Sequence, residues 1–331
     1  MRRGLGFLLA GVVALTGCAG TPQSREAGST LEVSVLGAEA AGERLRLYAA
    51  AEARREELPA QCQGTGPTPA AAMEDLTGSG EQVVSAAHTE HRLLARSAVA
   101  WLPALLDYAF RDPLLSTETQ LWVADGDDLT AAFDGEEDPA RRMEVLKTAG
   151  RDRQGFCPVT LRQAAGALAQ GEPVLLPVVD PASLARTGAV LYDGERFAAW
   201  LDREEALGAA LLLGQRVHWT DSAGEGALSL RLVRCRLLPR WKGDRLTGLS
   251  VRCVLEGVRS GGNGGRQALE ARTERDIRRA AAQLQRAGAG RLLLGRAGLA
   301  DPGRWRTLQG QWDRLFSVLP VEASVTIRGD A

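Results

Sequence analysis

Lysine is nearly missing from this 331-residue chain: of its 40 basic residues, Lys147 and Lys242 are the only lysines and all others are arginine. Lysine nucleophiles and Schiff bases are thereby short of supply. The arginines are scattered along the sequence and not clustered, which reads as the codon bias of a GC-rich genome. Charge of one sign is lacking too. With 41 acidic residues and a net charge of -1, the chain offers no polycation for nucleic acid. Aromatics make up 5% of it, little for an aromatic-lined ligand cleft. Beyond the first residues no run approaches eighteen apolar positions, so the remainder reads as soluble. What is present, 45% apolar and 24% charged with 38 Gly and 14 Pro, is ordinary globular composition. It excludes collagen-like, disordered and multi-span membrane classes, and the length suggests two or three domains.

The strongest signal lies in the first eighteen residues. Arg2-Arg3 precede the apolar run Leu5–Leu15, which ends in Leu15-Thr16-Gly17-Cys18. A basic start, a short apolar segment and small residues before a cut describe a secretory signal peptide, too short to span a bilayer. The Leu-x-Gly-Cys ending resembles the lipobox of bacterial lipoproteins. That resemblance implies that Cys18 receives a diacylglyceryl group and becomes the mature N-terminus, with enough acyl chain for stable anchoring. The alternative is an unmodified signal peptide with a chance cysteine. The expected division is 1–17 signal peptide, 18–30 lipidated N-terminus and tether, 31–187 N-terminal α/β region, and 188–331 C-terminal domain.

Leu31–Leu36 and Leu45–Tyr48 read as a strand pair with a loop at Gly37–Glu43. A helix is predicted from Pro69 to Leu76, a mostly helical apolar segment from Leu93 to Phe110, and strands at Gln82–Ala86, Thr119–Ala124 and Val174–Val179. Leu129–Lys147 reads as polar helix with an interruption, and Leu161–Ala169 as a short helix. Gly188–Tyr192 and Arg196–Trp200 form a hairpin about Asp193-Gly194. A helix covers 204–214. Two strands, Leu228–Leu232 and Leu246–Val258, meet at a Lys242-Gly243-Asp244 turn. A long helix spans Gln267–Ala287, with Leu269, Thr273, Ile277, Ala280 and Leu284 on one face. A second carries the stripe Trp305, Leu308, Trp312 and Leu315. A terminal strand aligns Val321, Ala323, Val325 and Ile327. The fold class is α+β, with mixed and antiparallel sheets flanked by helices.

Chemistry-bearing residues are few. His88-Thr89-Glu90-His91 would offer half a metal site if helical, but the only other histidine is His218. A polar loop or helix start is the plainer reading. Asp125, Asp127 and Asp128 lack the twelve-position calcium pattern and read as a solvated turn. Cys157 has no activating context and reads as a small buried residue, and Cys62 has no evident partner. No Gly-x-Ser-x-Gly elbow or phosphate-binding loop exists; Gly261–Gly265 reads as a connection. Reversal at Gly243-Asp244 sets Cys235 almost opposite Cys253. In an exported protein they could form a disulfide, or both could simply point into a core.

The order of features resembles a known family. After the lipobox come Phe110-Arg111-Asp112-Pro113, Leu121-Trp122-Val123-Ala124-Asp125-Gly126 and Leu176-Pro177. Gly188-Ala189-Val190-Leu191-Tyr192-Asp193-Gly194-Glu195-Arg196-Phe197 and Glu205-Ala206-Leu207-Gly208 follow. The long helix, the Trp305…Trp312 helix and a strand running into Arg328-Gly329 close the series. This is similar to the C subunit of spore germinant receptors, the Ger(x)C lipoprotein family, over nearly the whole mature chain. It departs after the lipobox, where Ala19-Gly20-Thr21-Pro22 replaces the family's Cys-Trp-Asp start, and around Arg291–Gly298, where an aspartate the family often carries is not evident. The resemblance implies three α/β units and a non-enzymatic subunit on the outer face of the inner spore membrane. It implies membrane-spanning A and B subunits as partners, no cofactor and no nucleic acid. The Trp305/Trp312 stripe or the Leu102–Phe110 face would be a docking surface if not core. The rival reading is an extracytoplasmic lipoprotein binding a solute or cell-wall fragment; an exported enzyme lacks its constellation.

Overall fold

The computed structural model describes residues 30–51, 61–78, 83–134, 138–152, 159–193, 196–223, 226–261 and 265–329. Among these, the larger of two sheets has ten strands. They are β1 Thr30–Ala41, β2 Arg44–Ala51, β3 Gln61–Gly66, β4 Val83–Ser85, β5 His91–Leu94, β6 Gln120–Ala124, β7 Val159–Thr160, β8 Val174–Val179, β9 Arg186–Asp193 and β10 Arg196–Asp202. The main order is β10-β9-β8-β6-β5-β1-β2-β3, with β4 beside β1 and β7 beside β6. The smaller sheet runs β11 His218–Ala223, β12 Gly226–Lys242, β13 Arg245–Gly261, β14 Val321–Arg328, in that order. The helices are α1 Pro69–Gly78, α2 Leu102–Arg111, α3 Thr130–Phe133, α4 Pro139–Asp152, α5 Leu161–Ala169, α6 Arg203–Leu213, α7 Arg266–Arg286, α8 Arg291–Ala300 and α9 Trp305–Leu315.

The centre of the large sheet is parallel, through β1, β5, β6 and β8. Every residue of β5, β6 and β8 is buried, as a parallel strand covered on both faces requires. Antiparallel hairpins extend the sheet at both ends. The predicted loop at Gly37–Glu43 is mostly strand: β1 continues to Ala41 and turns over Gly42, at φ 65°. Gly37 sits in the strand because a Cβ there would lie 2.7 Å from the Phe133 ring. Leu93 and Leu94, predicted helical, belong to β5; a short apolar run does not by itself distinguish the two states.

Strand periodicity lets β9 serve two cores. Val190 and Tyr192 face the core that holds Leu36, Trp122, Phe133 and the apolar sides of α1, α2 and α5. Ala189 and Leu191 face the opposite way, into the core of α6, α7, α9 and the small sheet. The large sheet thus runs past residue 188. Helix α6 lies between the sheets, against β9, β12 and α7. A capping box between Asp202 and Glu205 starts it, and Gly214 at φ 64° ends it. Gly208 brings α6 close to α7: a Cβ there would collide with the Asp276 carbonyl and lie 2.9 Å from Ala280 Cβ.

The β12–β13 hairpin has two 17-residue strands and reverses at Gly243. The predicted α7 face is buried through Leu269, Thr273, Ile277, Ala280 and Leu284. The far edge of β14 meets α7 through backbone groups. Ile327 N–H donates to Glu270 Oε1 at 2.8 Å and Val325 N–H to Glu274 Oε1 at 3.1 Å. Four helical residues rise about 6 Å and two strand residues about 6.6 Å, so the two carboxylates match two successive outward N–H groups.

Candidate functional site

Cys18 and Cys157 lie outside the described residues. Cys62, on β3, is half-buried, and burial pushes its thiol above the usual range, which disfavours the reactive thiolate. Cys235 and Cys253 are direct register partners on β12 and β13, with Cα atoms 4.1 Å apart and sulfurs in contact. Both are buried against the helices. Nearby, Arg296 donates to the Leu213 and Cys235 carbonyls, each at 2.6 Å, tying α8 to α6 and β12.

His88 and His91 do not share a helix: His88 is in a turn and His91 opens β5. Glu90, His91 and Glu144 do converge, but their chemistry does not fit a metal. His91 is fully buried, and Trp122 Nε1–H donates to its Nδ1 at 3.2 Å. A neutral ring accepting at Nδ1 carries its proton on Nε2, the nitrogen facing Glu144 Oε2 at 3.6 Å, and so has no lone pair there for an ion. Lys147 Nζ occupies the same carboxylate at 2.7 Å. Burial drives the His91 imidazole down to about 4, aided by the Lys147 charge and opposed by Glu144. Of the acidic turn, Asp125 pairs with Arg96 at 3.3 Å and Asp128 accepts from Thr130 N–H at 2.8 Å ahead of α3. The turn is closed by this local bond and leads into a helix whose N-cap, Leu129, makes no side-chain cap.

One contact was not legible in the sequence. His218 Nε2 lies 2.6 Å from Ser229 Oγ, across β11 and β12. Ser229 sits on a strand paired on both sides, whose backbone N–H groups are taken by the ladders. No N–H pair is free there to stabilise an oxyanion, which acyl transfer would need.

Among the described residues, two open grooves stand out. One, of about 630 Å³, lies between α2 and α5 and is lined by Pro103, Leu106, Phe110 and Leu168, with Asp107 and Arg162 at its rim. Phe110 is 48% exposed. The other, of about 730 Å³, lies between Pro173 and α8 and is lined by Leu292, Leu299 and Trp305 beside Arg291 and Arg296. Trp305, expected in a buried stripe, is 37% exposed, whereas Leu308 and Trp312 are fully buried. The Trp305 ring lies across Gly298, whose missing side chain makes room for it.

No protein-family model matches the chain, and no curated protein sequence matches it. Its architecture is similar to that in the crystal structure of the GerBC protein, with a TM-score of 0.53. The match covers 88% of this chain and 96% of that one at 14% identity. The chain has the GerBC fold. This is the Ger(x)C-like α+β class that the order of motifs implies, and among the described residues its strands form two sheets over two cores rather than three separate sheet units.

Among the described residues, no helix of this GerBC-like fold is long and apolar enough to cross a membrane. Surface features among the described residues that are open to a partner include the two grooves and the outer face of the small sheet.

Proposed function

We propose that the chain is a lipid-anchored, non-catalytic subunit of a spore germinant receptor, held to the membrane through Cys18 and working by contact with membrane-spanning A and B subunits. The GerBC fold over 88% of the chain carries this reading, and the lipobox residues Leu15-Thr16-Gly17-Cys18 supply its anchor. The grooves at Phe110 and Trp305 are its candidate docking sites. A solute binder built from two similar lobes has less support, because the two sheets differ in strand number and order.

Germination of spores lacking the chain tests the proposal, with wild-type and Cys18→Ala versions restored. Loss of a nutrient response that only the wild type restores is the expected outcome. Normal germination across a broad nutrient panel in a strain without a second receptor would refute it.

A further inference from the structure

The helices pack on one face of the four-stranded sheet, where Leu230, Cys235, Leu237, Val251, Cys253 and Val325 are buried. The alternate residues form its outer face. Arg231, Arg234 and Arg236 of β12, Arg252 of β13 and Arg328 of β14 all stand exposed there. Arg236 and Arg252 are direct register partners. Like charges placed opposite each other on a sheet face destabilise it. The acidic residues in this array are Glu256, which pairs with Arg231, and Glu322, which pairs with Arg240 at 2.6 Å. Val254 and Val258, the latter 62% exposed, stand between the cations.

We propose that this outer face of the small sheet binds the anionic headgroups of a membrane surface. The cations are spread over three strands in a plane rather than along a groove, so the matching anion is itself broad and flat. Guanidinium forks suit phosphate oxygens, and the valines suit the shallow apolar boundary beneath them. The proposal rests in part on the anchored reading: from Cys18 to Thr30 the extended chain reaches at most about 40 Å, which keeps the fold beside the bilayer. A chain of net charge -1 that gathers arginine on one face is also polarised, and an anionic surface orients it.

The test is flotation of the full chain with vesicles of phosphatidylglycerol in phosphatidylcholine, compared with phosphatidylcholine alone. Wild type is expected to bind the anionic vesicles more tightly, with the gain falling as salt rises. Arg236→Gln with Arg252→Gln removes two charges and is expected to cut the gain about 30-fold, while melting no lower than wild type because a like-charge pair is relieved. The control Arg306→Gln with Arg314→Gln, on exposed positions of α9, keeps the gain. Equal binding to both vesicle types, or a gain that survives Arg236→Gln/Arg252→Gln, overturns the proposal. Capture by polyglutamate without a gain on anionic vesicles also overturns it, in favour of an acidic protein. Anchoring is read separately: Cys18→Ala matching wild type on neutral vesicles would mean failure of the anchor, not of the sheet face.

Discussion

Two buried titratable groups in different cores set opposite pH dependences over nearly the same range. His91, fully buried in the large-sheet core, titrates at about 4 instead of 6.5. As pH falls below 6.5 the unfolded chain takes up a proton that the folded chain refuses until about 4, so stability is lost on acidification. Asp276, buried on α7, has its carboxyl pushed up to about 6 from 3.8 by burial first and then by Glu204, against the pull of Arg279. The folded chain keeps that proton while the unfolded chain has released it, so stability is lost as pH rises through the same window. Each shift exceeds two pH units, and at about 1.4 kcal/mol per unit each is worth about 3 kcal/mol. They nearly cancel. Urea unfolding of wild type between pH 4 and 7 is therefore expected to change by no more than about 1 kcal/mol. Asp276→Asn removes one arm and leaves a loss of about 3 kcal/mol on going from pH 7 to 4, whereas His91→Gln leaves a gain of similar size. Parallel pH profiles for wild type and both variants would refute the reasoning, as would slopes of the same sign in the two variants. Two separate unfolding transitions, shifting in opposite directions with pH, would show instead that the two cores melt independently.

Further outcomes follow from particular contacts. Gly208→Val drives a branched side chain into the Asp276 carbonyl and Ala280 and is expected to cost about 2–3 kcal/mol, measured by thermal unfolding. If Cys235 and Cys253 are bonded, alkylation without reductant leaves both unmodified in the mass spectrum. Cys235→Ser with Cys253→Ser then costs about 3 kcal/mol, the value for closing a loop of this length, 18 residues apart. Adducts at both cysteines of the untreated chain refute the bond. Phe110→Arg, in the lining of the α2–α5 groove, is expected to leave folding unchanged to within about 0.5 kcal/mol while lowering recovery of the proposed A and B subunits in a pull-down. Undiminished recovery removes that groove as a docking site.

The C-terminal half was the more legible part of the sequence. The β12–β13 hairpin shows in the alternation of Leu228, Leu230 and Leu232 with polar neighbours, and α7 in its four-residue stripe from Leu269 to Leu284. Two elements there had no such signature. Strand β11, His-Trp-Thr-Asp-Ser-Ala, is an edge whose polar residues satisfy β12 and α7, and α8 begins without a cap. In the N-terminal half, strand at Gly37 and Leu93 depends on neighbours far along the chain, which local pattern does not show: Phe133 over Gly37, and β1 and β6 on either side of Leu93. The same dependence hid the arginine face. Arg236, Arg252 and Arg328 are scattered along the chain, and only strand register collects them. His91 also reads differently once Trp122 and Glu144 are beside it.

The carboxylates of Glu270 and Glu274 stand where a fifth strand's carbonyls would otherwise accept from β14. The small sheet therefore has a stop built into the helix that crosses it. A strand from another molecule seeking to zip onto that edge would first have to displace two hydrogen bonds already made to charged acceptors. The same pair acts as a ruler for β14, since a slip of two residues would leave one glutamate without its amide. Recruitment to this lobe is thus steered away from strand addition on the β14 side and towards recognition by side chains.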